Sequence, residues 1–428
     1  MDKRNDPFAG SAPRANLPGL IENPAMPLAL DGRGMPLKTV DNFLTALECD
    51  ERFSGVRFNE LTGAAEVHDD DEEPRRWTDA DTARTALILE SDYGLYAPGK
   101  LSDALRLLFE DRRYHPIRRS LTREIWDGVP RMETFLTRRM GCPDTPYVRE
   151  VSRLIFSGGI HRLFVPGCKF DYVPVLVGPQ GSGKSTIVRW LAMEDRWFTE
   201  LTVMEGRESI EQLTGAWVCE IAELLALTRV KEQEAVKSFL SRQCDRYRKP
   251  YDRETTELKR QCIFIGTTNR RQFLKDRTGN RRFCPVEVRS DARALYAQEA
   301  EIRADIRQCW LEALAFYRAS RLSPVADPAA LADFRAAQEE AMEEDWRVGA
   351  IERWVQLQEK DRPFCIREIA REALVYNEAE DRKRDPTPAE SREIAQILDG
   401  LPCLERAGRK VLPGYGRQIT WKRKFLEN

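Results

Sequence analysis

A stretch of 27 residues rich in Pro, Ala, Gly and Asn opens the chain without periodicity, and predicts a loosely ordered tail. From Leu37 to about Glu110, short apolar segments alternate with turns. TVDNFLTALE and LSDALRLLFEDRR carry helical spacing, whereas VRFNELTGAAEV predicts a hairpin around Leu61–Gly63. Helical stretches then follow in METFLTRRM and PYVREVSRLIFSGGIHRLF, broken by WDGVP and GCPDTP. From Val173 to about Arg289, short apolar strands alternate with helices, the pattern of an α/β parallel sheet. Residues 297–320 and 329–345 read as helices, and the chain from about Val348 reads helix, helix, hairpin. The expected organisation is a tail (1–27), a small α+β region (28–115), a mostly helical prelude (116–170), an α/β core (171–322), a linker helix (323–347) and a C-terminal module (348–428).

Composition narrows the class. The 428 residues are 42% hydrophobic and 32% charged, which suits a core-forming protein rather than a disordered one. No apolar run approaches the roughly 18 residues a membrane span needs, and the N-terminus lacks the apolar core of a secretory signal. Ten cysteines without a C-x-x-C pair and three histidines argue against zinc or a disulfide scaffold, so reduced thiols and a cytoplasmic location are expected. The acidic run Asp69–Glu73 reads as a solvated turn, because five consecutive acids cannot converge on one metal. Charge is balanced, 68 Lys plus Arg against 70 Asp plus Glu. That excludes a basic coat but not nucleic-acid binding through focused charge.

The most informative segment is VPVLV–GPQGSGKST–IVRWLA, a buried strand, a G-x-x-x-x-G-K-[ST] loop and an amphipathic helix. Gly181 and Gly183 let the loop Gly178, Pro179, Gln180, Gly181, Ser182, Gly183 curl so that its backbone N–H groups, Pro179 having none, face a phosphate at a helix N-terminus. Lys184 would reach the β- and γ-phosphates of ATP, Ser185 would ligate Mg²⁺, and Thr186 would add a phosphate contact. Two further strand ends complete such a site. GAWVCEIAELLAL supplies Glu220 and Glu223, candidates to hold Mg²⁺ and to polarise the attacking water. Residues three apart in an unbroken strand face opposite ways, so both reach the site only if the strand ends between them. QCIFIGTTN ends an apolar strand (Cys262–Ile265) and delivers Asn269, whose amide can bond both γ-phosphate and water. DRTGNRRFCPVEV then supplies Arg281 and Arg282, either of which could serve as an arginine finger, commonly in trans across a subunit boundary.

Between the acidic and amide strands, Lys237 to Arg260 holds eight basic and four acidic residues with Tyr247 and Tyr251 interleaved. Lys237, Arg242, Arg246, Tyr247, Arg248 and Lys249 are candidate contacts to single-stranded DNA, the alternative being a solvated loop or an inter-subunit face. In the last module, Arg406–Lys424 carries seven basic residues and no acids on a predicted hairpin after PTPAESREIAQILDGL. Helix, helix and basic hairpin is a winged-helix pattern, with Arg409, Lys410 and Arg417 as candidate DNA contacts; such modules also bind proteins.

HPIRRSL, WDGVPR, VPGCKFDYVPVLVGPQGSGKST, GAWVCEIAEL, VKSFLSRQCDRYRKPY, FIGTTN and TGNRRFCPV together resemble the virulence-associated protein E family of phage and mobile-element proteins, related to superfamily 3 helicases and, within the AAA+ group, to primase-helicases. The resemblance spans about residues 75–290. It implies a replicative ATPase, assembled as a hexameric ring around single-stranded or forked DNA. Lys184 and Ser185 would stand in motif A, Glu220 and Glu223 in motif B, Asn269 at the sensor position, and Arg281 or Arg282 as the finger. Motif B here lacks adjacent acids, which leaves the division of labour between Glu220 and Glu223 open. WDGVPR reads as a packing turn with Trp126 buried and Gly128 and Pro130 in the bend. The first 115 or so residues are too short for a primase-polymerase domain and show no carboxylate triad, so priming would fall to a separate primase or other replication protein. Two functions stay in view: a DNA-translocating, helicase-type ATPase, and an ATP-switched assembly or signalling NTPase. A small-molecule kinase would need neither the late arginine pair nor a winged helix.

Overall fold

The computed structural model describes residues 27–68, 73–222, 230–247, 256–274, 280–342, 345–359, 361–374 and 384–424. The chain divides into two units, one through residue 342 and one from residue 343. Residues 1–26 of the expected tail and Asp69–Glu72 lie outside the described residues.

The first unit opens with a small α+β layer. The hairpin expected at Leu61–Gly63 is present: β1 (Val56–Asn59) pairs antiparallel with β2 (Ala64–Val67). Asn59 closes the turn, its Oδ1 accepting the backbone N–H of Leu61 at 2.9 Å. β3 (Arg75–Arg76) extends the sheet beside β2, and β4 (Arg113–Tyr114) lies parallel to β1. Helices Val40–Cys49, Asp79–Tyr93 and Pro98–Asp111 bury Phe43, Leu47, Leu89 and Leu105 against it. Fully burying such a side chain stabilises the fold by roughly 1.5–3 kcal/mol.

His115 ties this layer to the larger sheet. It is buried, its Nδ1 caps helix Pro116–Thr122, and its Nε2 pairs with Gln261 Oε1 at 2.8 Å. Burial pushes its pKa from 6.5 down to about 4, with nearby Arg118 acting the same way. A histidine whose pKa falls on folding stabilises the native state while neutral. That contribution, about 3 kcal/mol, is complete above 6.5 and is lost as pH falls through 6.5 towards 4. His115→Asn keeps a helix cap, so we expect its melting temperature to fall less steeply than wild type between pH 7 and pH 4. Calorimetric melts at both pH values check this, and parallel slopes would reject it.

The core sheet contains β5 (Val173–Val177), β6 (Phe198–Glu200), β7 (Val218–Ile221), β10 (Ile263–Thr268) and β11 (Phe283–Glu287). Between β7 and β10 the chain forms a separate hairpin, β8 (Cys244–Tyr247) with β9 (Thr256–Lys259). The sheet order is β11-β5-β10-β7-β6, and every pair is parallel. All carboxyl ends therefore share one rim, and the order reverses beside β5, where open α/β sheets bind ligands. β10 runs to Thr268, past the Ile265 end expected from its apolar run. The buried β-branched Thr267 and Thr268 continue the strand.

Helix Pro146–Phe164 and helix Glu299–Arg318 pack beneath this sheet, with the Trp217 and Trp310 rings 4.2 Å apart. Helix Leu331–Glu340, read from sequence as part of a linker, lies against β11: Gln338 donates to Phe283 O at 2.9 Å and Phe334 is buried. Trp126 is only half-buried, contrary to expectation. Its ring meets Phe316 edge-on and its indole N–H donates to Val129 O, closing the Gly128 turn onto itself.

Among the described residues the second unit holds helices Trp346–Gln356, Ile366–Glu372 and Pro388–Gly400, one more than expected. Its sheet has the order β12 (Phe364–Cys365), β14 (Gly416–Arg423), β13 (Leu404–Leu412). A capping box between Thr387 and Glu390, with Pro388 at the first helical position, starts the third helix. Ile394, Leu398, Phe364 and Trp421 form its core. The two-residue β12 and the seven-residue helix are too short to leave a period in the sequence. Among the described residues no helix is long and apolar enough to cross a membrane.

Candidate functional site

The loop after β5 turns back through Gly181 and Gly183, both at positive φ (83° and 79°). Space and conformation both demand glycine at 183, where a Cβ would stand 2.3 Å from Leu295 Cδ1. Backbone contacts fix the curl: Gly178 N–H donates to Thr268 O, Ala292 N–H to Gly181 O, and the Ser290 hydroxyl to Ser182 O. Helix Lys184–Leu191 follows with Gly183 at its cap.

A cavity of about 520 Å³ opens at this rim, lined by Gln180, Gly181, Gly183, Lys184, Ser185, Thr186 and Asn269 among the residues singled out in the sequence. Gly178, Pro179 and Ser182 shape the loop behind it. The Ser185 hydroxyl donates to Glu220 Oε1 at 2.6 Å, and the Thr267 hydroxyl donates to the same oxygen at 2.7 Å. Burial raises the Glu220 pKa above the usual carboxylate value; the two hydroxyls oppose this, and neighbouring Glu200 adds to it. Lys184 Nζ is folded onto its own loop, donating to Gly178 O and Pro179 O, each at 2.8 Å, and to Ser182 Oγ at 3.2 Å. Burial lowers its pKa, while Glu220 draws it back up. Asn269 sits exposed one residue past β10, between the loop strand and the Glu220 strand.

Glu200 also lines the cavity, and the sequence reading missed it. It ends the three-residue β6 and pairs in register with Glu220. No motif spacing marks it; only the parallel register of β6 against β7 brings it to the rim. β7 ends at Ile221, as the two-acid reading required, and Glu223 lies outside the described residues. Arg281 and Arg282 do not join the cavity. They precede β11, at the amino end of the sheet, and Arg282 donates to Ser241 Oγ at 2.7 Å.

The basic stretch divides. Lys237 is buried on helix Val230–Ser241 (9% exposed), so the surface cation expected there is not presented. Val236, Phe239 and Leu240 pack into the core on the same helix and carry it inward. Arg260 is likewise buried, in a pair with Asp245. Arg242 and Arg246 are exposed, Arg246 beside Glu257. Arg248, Lys249 and the Tyr247 side chain lie outside the described residues. Arg409 and Lys410 on β13 and Arg417 on β14 are exposed on one hairpin.

Fold and site together define an α/β protein whose five-stranded parallel sheet carries a glycine loop and a buried carboxylate on one rim. The chain belongs to the virulence-associated protein E-like domain family, whose model matches residues 121–343. No curated protein matches it. Among solved structures, the apo NrS-1 C-terminal region is similar at 14% identity and TM-score 0.45, over 75% of this chain and 80% of that one. An A-form apo structure of that region is similar at 11% identity and TM-score 0.46, over 86% and 97%.

Proposed function

We propose that this chain is an ATP-hydrolysing, DNA-translocating ATPase of the helicase type, serving replication of a phage or mobile element as an oligomeric ring. The observation that carries the reading is the convergence of the Ser185 and Thr267 hydroxyls on Glu220 beside the Lys184 loop. A hydroxyl and a carboxylate suit Mg²⁺, which is held by one or two protein oxygens plus phosphate oxygens and water. Bound Mg²⁺ would neutralise phosphate charge. The loop N–H groups would bind the polyphosphate, and Lys184 would exchange its two carbonyl partners for phosphate oxygens. Thr267 holds Glu220 in place, and Asn269 would orient the attacking water. Glu223, or Glu200 at the rim, would take its proton.

The placement of the arginines favours action in trans. β5 and β11 are parallel, with the loop at the carboxyl end of one and Arg281 and Arg282 at the amino end of the other. Five residues of strand separate them by about 16 Å, beyond the reach of an arginine side chain. A finger would therefore come from a second copy, which suits a ring.

DNA contact would fall to Arg242 and Arg246 and to the winged-helix-like hairpin with Arg409, Lys410 and Arg417. Replacing the last three by Ala is expected to weaken DNA binding and to flatten its salt dependence by about 0.9 per lost phosphate contact on duplex. Titrations at several salt concentrations measure it. An unchanged slope would assign the hairpin to protein contacts.

A further inference from the structure

A second cavity of about 450 Å³ lies at the amino end of the sheet, away from the glycine loop, and its lining includes Lys169, Asp171, Arg281, Arg282 and Arg335. Among the described residues, four cations thus line it with one carboxylate. Arg282 is tied to Ser241 and stands 3.9 Å from Asp171. Lys169, Arg281 and Arg335 are exposed and have no ion pair among the described residues. Other arginine clusters in this unit are matched to acids: Arg131, Arg138 and Arg139 all reach Asp305, and Arg153 reaches Glu150. At this cavity, by contrast, the cations outnumber the acid, and an anion from outside the protomer would complete it.

The rim indicates what carries that anion. Val325 and Leu331 line the same cavity and are 59% and 42% exposed. Exposed aliphatics beside cations suit a protein face that presents a negative group, more than a hydrated nucleic-acid track. Within this molecule, the face built to hold a polyanion is the glycine-loop rim, on the opposite end of the sheet. Two faces at opposite ends of one subunit are the geometry of a heterologous, ring-forming contact.

We propose that Lys169 and Arg335, together with Arg281 and Arg282, form a receiving site for the polyphosphate of a nucleotide held in the glycine loop of a second copy of this chain. The inference rests on reading the loop cavity as a nucleotide site, and it assigns two cations, from the segment before β5 and from helix Leu331–Glu340, that the arginine pair alone does not include. Each loop then works only when a neighbouring copy supplies these charges.

The test is complementation between two full-length variants. Lys184→Ala retains the cation cavity and loses the loop lysine; Lys169→Ala/Arg335→Ala does the reverse. Each alone is expected to turn over ATP at least tenfold more slowly than wild type, the double variant through kcat more than KM. An equimolar mixture should recover activity towards about one quarter of the wild-type rate, the share of interfaces that pair an intact loop with intact cations. Lys169→Arg/Arg335→Lys should retain most activity. Wild-type turnover in the double variant overturns the proposal, as does a folded double variant that stays inactive in the mixture. Normal turnover with weakened DNA binding overturns it by reassigning the cavity to nucleic acid. If the wild-type protein neither binds nor hydrolyses nucleotide, it is the underlying reading of the loop that fails.

Discussion

Glu220→Gln is expected to lower ATP turnover by a factor of about 10² or more while leaving thermal stability at neutral pH equal to wild type or higher. The two effects share one cause. Glu220 is 2% exposed, and burial raises its pKa. A carboxyl whose pKa rises on folding favours the native state while protonated. That advantage is present below its unfolded value of 4.5 and is lost as pH climbs through the raised one. At neutral pH the ionised group therefore opposes folding, and is held there by the Ser185 and Thr267 hydroxyls. Glutamine has the same shape, and its carbonyl oxygen can accept both donors without a buried charge. It cannot supply negative charge to a metal ion. Thermal melts and steady-state turnover on the same preparation test the pairing. Loss of both activity and stability would make Glu220 a structural anchor.

Lys184→Ala should abolish detectable turnover and weaken nucleotide binding by one to two orders of magnitude, the worth of a charged hydrogen bond of about 1.5–3 kcal/mol. The side chain spends its hydrogen bonds on Gly178 O, Pro179 O and Ser182 Oγ, so it braces the loop as well as offering charge. Removing it leaves carbonyls at a solvent-facing rim, where water can replace the ammonium, and the melting temperature should move little. Arginine is not an equivalent: its planar fork cannot satisfy two carbonyls of one tight loop in the same way. Turnover in Lys184→Ala matching wild type would remove the loop from the chemistry.

The segments that carry sequence-local chemistry were legible in advance. A strand, a glycine loop and a helix follow one another in VPVLVGPQGSGKSTIVRWLA, and the fold keeps that order. What depends on pairing between distant segments was not legible. Glu200 reaches the loop cavity only because β6 lies parallel to β7, and a lone acid after FT gives no warning of it. The basic stretch from Lys237 misled in the other direction. Counting charge treated Lys237 and Arg260 as surface groups, whereas Phe239 and Leu240 carry one inward and Asp245 pairs with the other. Reading WDGVPR as a packing turn puts Trp126 inside, yet the turn closes on itself and leaves the ring half-covered. The Lys169–Arg335 cavity joins residues 166 positions apart and has no sequence trace.

The most direct measurement is steady-state ATP hydrolysis by the full chain with and without single-stranded DNA. Mg²⁺-dependent turnover that rises severalfold when DNA is added is the expected result. Robust hydrolysis indifferent to any DNA, in an assembled oligomer, would contradict it and point to an ATP-switched assembly protein.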